Sequence, residues 1–210
     1  GGDKKCNRSK PTLRSKKVSV IVPNFNHAAY LPMRLESIYN QTYENFEVIL
    51  LDDSSNDNSL KILEQYIEHP KTSHTVFQSK NSGSPFKQWN KGISLAKGDY
   101  IWIAESDDYA ELSFLQKQID FLKNSPDCVL CYHNIKYVDQ DGEIIEEYGA
   151  NKEIKYYTWE NFFDAHIPPL SVVFRNCISE IPKEIYQVMG ADKFLFGLLA
   201  KHGKLANLGF

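Results

Sequence analysis

Val18-Ser-Val-Ile-Val-Pro-Asn-Phe-Asn26, followed by Leu31, Leu35 and Ile38 at i, i+4 and i+7, is the stretch whose reading decides the fold. A short β-rich run closed by Pro23 leads into a segment with one apolar stripe, which is a β-then-α unit. The unit recurs. Val48-Ile-Leu-Leu51 ends in Asp52-Asp53 and precedes Leu60, Leu63 and Ile67, on a helix whose start is marked by Asp57 or a neighbouring Ser. Thr75-Val-Phe-Gln78 precedes the loop Asn81-Ser-Gly-Ser-Pro85 and a helix carrying Phe86, Trp89 and Ile93, stopped near Gly98. Tyr100-Ile-Trp-Ile-Ala104 runs into Glu105-Ser-Asp-Asp108, and Leu115, Ile119 and Leu122 mark a helix before Val129-Leu-Cys-Tyr132. Four such units predict an α/β fold: a Rossmann-like, mostly parallel, doubly wound sheet with right-handed crossovers, flanked by helices.

Beyond residue 132 the rhythm changes. Asp139-Gln-Asp-Gly142 is a turn signal between Ile135–Val138 and Ile144–Ile145 and predicts a hairpin or an added antiparallel strand. Trp159 to Ala165 reads as a short helix, Ser171-Val-Val-Phe174 as a strand, and Asp192 to Lys201 as a helix terminated by Gly203. These pieces are expected to extend the same sheet with antiparallel strands. Residues 18–210 then form one domain, with a first half at 18–132 and a second at 133–210. Gly1-Gly2 reads as a cloning scar and residues 1–17 as an exposed polar arm; the chain looks cut at both ends.

Composition narrows the classes of partner. With 24 Lys and Arg against 27 Asp and Glu, the formal charge of −3 offers no excess positive field, so nucleic acid is excluded as an expected partner. No stretch reaches the ~18 apolar residues of a membrane span, so membrane contact would be peripheral at most. Four cysteines, at 6, 128, 131 and 177, are too few and too scattered for a disulfide framework and fit a reducing cytoplasm. Cys128-Val-Leu-Cys131 has the CxxC form, but residues three apart on a strand point to opposite faces, so two buried thiols are expected and not a metal grip.

Ligands of an open parallel sheet bind outside the carboxyl ends of its strands. Those ends carry Pro23-Asn-Phe-Asn26, Asp52-Asp53, Asn81-Ser-Gly83 and Glu105-Ser-Asp-Asp108. At least five carboxylates are expected to converge on one crevice, and like charges held that close call for a cation. Oxygen ligands suit Mg²⁺, Mn²⁺ or Ca²⁺ rather than zinc, and such ions bridge carboxylates to a phosphate ester. For Asp52-Asp53 a helix cap is the competing role; three carboxylates in four residues exceed what one cap uses. Neither GxGxxG nor GxxxxGK[ST] occurs, which disfavours dinucleotide and P-loop chemistry.

Val18 to Asn26, Phe46-Glu-Val-Ile-Leu-Leu-Asp-Asp53, Asn90-Lys-Gly-Ile93, Ala96-Lys-Gly-Asp-Tyr-Ile101 and Glu105-Ser-Asp-Asp108, in that order, resemble family 2 glycosyltransferases of the GT-A fold. The resemblance runs from residue 18 to about 208. It implies a nucleotide-sugar donor, most often UDP-linked, with its base against Pro23, Asn24, Asn26 and Asp53, and with Asn81, Glu105 and Asp107 lining the same site. It implies a divalent metal, Mn²⁺ or Mg²⁺, on Asp108 at the diphosphate, and a catalytic base at Asp192. Glu105 and Ser106 depart from the usual DXD spelling, and Ala191 replaces the Glu that usually precedes the base. A cap of its own helix is the competing role for Asp192.

With one base and no second carboxylate as nucleophile, a single displacement inverting the anomeric centre is expected. The acceptor would be a glycan, lipid-linked or other hydroxyl in bacterial surface-polysaccharide assembly, made in the cytoplasm or at the inner face of its membrane. Two other readings stay open: a metal-dependent phosphotransfer domain, and a module of the same fold that binds nucleotide or glycan without turnover. Trp89 and Trp102 are expected in the core, Lys87 in solvent, and His133 and His166 in loop or core positions; His166 to Ser171 is a candidate for the acceptor side.

Overall fold

The computed structural model describes residues 16–139, 143–148, 153–187 and 190–209. The arm at 1–15, Cys6, the centre of the turn at 140–142 and Phe210 lie outside the described residues. The first half alternates as the sequence predicts: β1 (Val18–Asn24), α1 (Leu31–Tyr39), β2 (Phe46–Asp52), α2 (Ser59–Glu64), β3 (Thr72–Phe77), α3 (Pro85–Leu95), β4 (Tyr100–Ile103), α4 (Phe114–Asn124) and β5 (Cys128–Tyr132). Every residue of β1, β2, β4 and β5 is buried, as expected for strands covered on both faces. Prolines open α1 and α3 within their first two positions, where a missing N–H costs no helical bond.

The second half contributes a separate antiparallel hairpin, β6 (Ile135–Val138) with β7 (Ile144–Tyr148), and then β8 (Lys155–Tyr157), β9 (Val173–Arg175), α5 (Ala191–Ala200) and β10 (Lys204–Asn207). The main sheet runs β3-β2-β1-β4-β9-β5-β10-β8. β9 is antiparallel to both neighbours and β8 is antiparallel to β10. Insertion of β9 between β4 and β5 separates two strands that the βα rhythm alone makes neighbours. The expected helix at 159–165 is reduced to one 3₁₀ turn at Phe162–Asp164, and the strand expected from Ser171 starts two residues later, after a 3₁₀ turn at Pro169–Ser171.

Side chains alternate between two apolar layers, one on each face. Val18, Val20 and Val22 pack with Leu31, Leu35 and Leu115 on one side, while Ile21 packs with Trp89, Ile93 and Leu199 on the other. α3 can approach β1 closely because Gly92 carries no side chain: a Cβ there would fall 2.3 Å from Ile21 Cγ2. The cysteines correct the sequence reading. Between the pairs Lys204↔Cys128 and Leu205↔Leu130 the register slips by one residue, and this bulge puts Cys128 and Cys131 in the same apolar layer instead of on opposite faces. Both remain free, buried thiols, and burial pushes both up in pKa, Cys128 to about 11.

Candidate functional site

The carboxyl ends of β1 and β2 are tied into one rigid edge. Asn24 and Asp52 are partners in register, and Asn24 Nδ2 donates to Asp52 Oδ1 at 2.8 Å. Asp52 also accepts Ser55 N at 2.9 Å and Ser55 Oγ at 2.6 Å. Asn26 and Ser54 hold φ of 58° and 65°, the left-handed region that costs a side-chain-bearing residue about 1–2 kcal/mol. Cross-loop bonds hold that geometry: Asn26 N to Ser55 Oγ at 2.9 Å, Asn56 N to Asn26 Oδ1 at 2.8 Å and Ala28 N to Asp57 Oδ2 at 2.9 Å. Pro23 and Asn24 are therefore buried strand positions, and Phe25 and Asn26 form the exposed surface at this point.

Asp53 fastens this edge to the loop after β3. Its Oδ1 accepts Ser82 N at 2.8 Å and Gln88 Nε2 at 2.9 Å, and its Oδ2 accepts Ser82 Oγ at 2.8 Å. Asn81 donates Nδ2 to the Asp53 carbonyl at 3.0 Å and accepts Gly83 N at 2.8 Å, so it shapes the turn. Neither Asp52 nor Asp53 caps α2; that helix is entered through Asp57, whose Oδ1 accepts Ser59 N at 2.9 Å. The expectation of five carboxylates needing a common cation is therefore too simple, because hydrogen-bond donors already satisfy two of them. Among the described residues, no group of three or more His, Cys, Asp or Glu side chains is arranged to hold an ion alone.

The turn after β4 is different. Glu105 is half-buried and accepts Trp89 Nε1–H, so Trp89, expected as core, also touches the acidic turn. Burial, with Asp107 and Asp108 nearby, pushes the Glu105 carboxyl up to about 7 against the opposing pull of Trp89 and Arg34. Burial likewise raises Asp108, with Asp107 adding to it and Arg34 and His27 opposing. Asp107 is exposed, Asp108 half-buried, and neither carboxylate accepts a hydrogen bond among the described residues. Ser106 is buried beside His27, with Oγ 2.7 Å from Nδ1. A hard cation that keeps several waters and takes phosphate oxygens needs only one or two protein carboxylates, and the free oxygens of Asp108 fit that demand.

α5 descends from the same edge, because it returns the chain to β10, which runs parallel to β5. Asp192 lies in its first turn, behind Gly190 at φ 74°, and makes no capping bond; its carboxylate accepts no hydrogen bond among the described residues. The segment leading to α5 is pinned to α3: Ile181 N donates to Asn90 Oδ1 at 2.8 Å, Asn90 Nδ2 bonds the Tyr186 hydroxyl, and Ser84 Oγ donates to the Tyr186 carbonyl at 3.0 Å. Sequence reasoning passed over Gln88, His27 and, above all, Arg34. None belongs to a recognisable spacing; a cation on the buried stripe of α1, between Leu31 and Leu35, was the available signal for Arg34. A cavity of about 440 Å³ lined by Trp159, Lys201 and His202 lies at the other end of α5, and no predicted site residue borders it.

The mostly parallel sheet flanked by helices, with added antiparallel strands and its polar strand ends on one edge, is a fold of the GT-A type. Residues 19–175 match the description Glycosyl transferase family 2, and the chain belongs to that family. It is 35% identical over 141 residues to an uncharacterized glycosyltransferase of Haemophilus influenzae, covering 67% of this chain and 56% of the relative. It is 37% identical over 111 residues to a poly(ribitol-phosphate) beta-glucosyltransferase of Bacillus spizizenii, covering 52% of this chain and 18% of the relative. The crystal structure of S. aureus TarS 1-349 in complex with UDP-GlcNAc superposes with a TM-score of 0.69 at 25% identity, over 92% of this chain and 56% of that one. The chain spans about half the length of the first curated relatives it matches.

Proposed function

We propose that this chain is the donor-binding part of an inverting glycosyltransferase that moves a sugar from a UDP-sugar to a hydroxyl of a surface glycan, lipid-linked or polymeric, at the cytoplasmic face of the membrane. One observation carries the reading: among the described residues, the carboxylates of Asp107, Asp108 and Asp192 accept no hydrogen bond from the protein and stay open to solvent and ligand, whereas those of Asp52 and Asp53 are engaged by protein donors. Carboxylates left without donors beside a preformed edge are what binding and proton transfer require. The UDP-GlcNAc held by TarS supports the donor class. The beta-glucosyl product named for the Bacillus relative supports inversion of an α-linked donor.

The laced loops at Asn24–Asn26 and Asp53–Asn81 would present a fixed wall to the base and ribose. A base contact at Asp53 has to share an oxygen with Ser82. Glu105, raised to about 7 and so only partly ionised near neutral pH, and fastened to Trp89, orients the turn from which Asp107 approaches the ribose and sugar. A divalent cation, Mn²⁺ or Mg²⁺, held by Asp108 would supply charge neutralisation for the departing diphosphate. Asp192 takes the acceptor hydroxyl proton as the new C1–O bond forms and the bond from C1 to the phosphate oxygen breaks.

Transfer or donor hydrolysis measured with a panel of UDP-sugars tests the reading, with Asp192→Asn as the diagnostic variant. A loss of about 10²–10⁴-fold in turnover, with nucleotide affinity kept, is expected for a general base. Near-normal turnover in Asp192→Asn removes that residue from the mechanism.

A further inference from the structure

Arg34 is among the largest fully buried side chains in the molecule, at 0% exposure on the inner face of α1. Its Nε–H donates to the Glu105 carbonyl at 2.7 Å, and its guanidinium lies 5.1 Å from the centre of the Trp102 ring. Both Nη atoms are buried without a hydrogen-bond partner, and Arg34 makes no ion pair among the described residues. The charges it faces are those of Asp108, Glu105 and Asp107. A buried guanidinium with two idle nitrogens is costly, and an aliphatic residue would fill that helix position without the cost. Its position is informative: among the described residues, the one hydrogen bond its side chain makes is to the backbone of the residue that opens the acidic turn, and its remaining positive charge faces the carboxylates of that turn.

We infer that Arg34 is a positioning residue of the donor site, which clamps the Glu105–Asp108 turn through the Glu105 carbonyl and serves as a standing positive charge beneath it. The inference rests on the donor-site reading above. A fixed cation under the turn repels a second cation, so Asp108 should hold Mn²⁺ poorly until the donor's diphosphate brings its own negative charge. Arg34 thereby sets how weakly the turn holds a cation before the nucleotide arrives, and the diphosphate's own charge offsets that penalty.

Mn²⁺ binding followed by electron paramagnetic resonance, with and without UDP and with no turnover, tests this in the wild type, Arg34→Met and Arg34→Lys. In the wild type, UDP should tighten Mn²⁺ binding. In Arg34→Met, Mn²⁺ alone should bind about tenfold more tightly, the order expected for removing one charge from the neighbourhood of a divalent ion. Arg34→Lys, which keeps the charge, should stay close to the wild type in Mn²⁺ binding without UDP. Should Arg34→Met fail to fold, Arg34→Gln is neutral, can still reach toward the Glu105 carbonyl, and carries the same expectation. Unchanged or weaker Mn²⁺ binding in the neutral variants, beside a wild type that binds UDP normally, overturns the inference alone. A wild type that binds no nucleotide with any cation overturns the donor-site reading and the inference with it.

Discussion

Replacing Glu105 by Gln isolates the energetic consequence of burying an acid in this turn. The carboxyl is raised from 4.5 to about 7, chiefly by burial, so the folded chain holds a proton that the unfolded chain releases between those values. Folding stability therefore falls as pH rises across that window: it is fully present below about pH 4.5 and is lost through about pH 7. At about 1.4 kcal/mol per pH unit the loss is about 3 kcal/mol, a large part of a typical domain's net stability. Gln keeps an oxygen for Trp89 Nε1–H and has no proton to lose. Urea unfolding followed by tryptophan fluorescence, in chelator and from pH 5 to 8.5, should show Glu105→Gln close to the wild type at pH 5. By pH 8 the variant should be more stable by about 3 kcal/mol. A difference that does not vary with pH refutes the claim that burial raises the Glu105 carboxyl to about 7.

Glu47 should behave in the opposite sense. Burial pushes its carboxyl up, but Lys17 Nζ, Ser19 Oγ and Lys97 N more than offset this and leave it below the ordinary range. Its contribution is present above that ordinary range and is lost as pH falls through the depressed value, so Glu47→Gln should cost about 1.5–3 kcal/mol at pH 7 and progressively less below about pH 4, by chemical denaturation. Gly98→Ala puts a Cβ 2.6 Å from Ser19 N and 2.8 Å from the Lys17 carbonyl, both backbone atoms that cannot step aside. It should lower stability by about 1–3 kcal/mol. Because Gly98 precedes β4, at the edge opposite the acidic turn, calorimetry should find UDP affinity within about twofold of the wild type at temperatures where the variant is folded.

The first four βα units were legible because parallel strands buried on both faces leave unbroken apolar runs, and the helices between them repeat their stripe at i, i+4 and i+7. The position of β9 was not legible. A three-residue strand that pairs antiparallel with β4 and β5 makes contacts tens of residues away, and nothing local in Val173–Arg175 encodes which gap it fills. The CxxC pair failed for a similar reason, since a one-residue slip against β10 reverses the alternation that strand geometry assumes.

At the site, carboxylates in a cluster were visible, but their hydrogen-bond state was not. Asp52 and Asp53 read as caps or ligands while the Glu105–Asp108 cluster reads as functional, and only the placement of Ser55, Ser82 and Gln88 shows which acids the protein itself engages. Part of the recognisable pattern proves architectural. Asn90 pins the segment before α5, Gly92 admits Ile21, and Gly98 admits the backbone of Ser19.

Isothermal titration with UDP, in chelator and then in Mn²⁺, on the wild type and on Asp108→Asn, addresses the donor site directly. Nucleotide binding in the micromolar range that strengthens with Mn²⁺ in the wild type, and loses that gain in Asp108→Asn, is the predicted result. A chain that binds no nucleotide under either condition, or an Asp108→Asn variant that keeps the full gain, contradicts it.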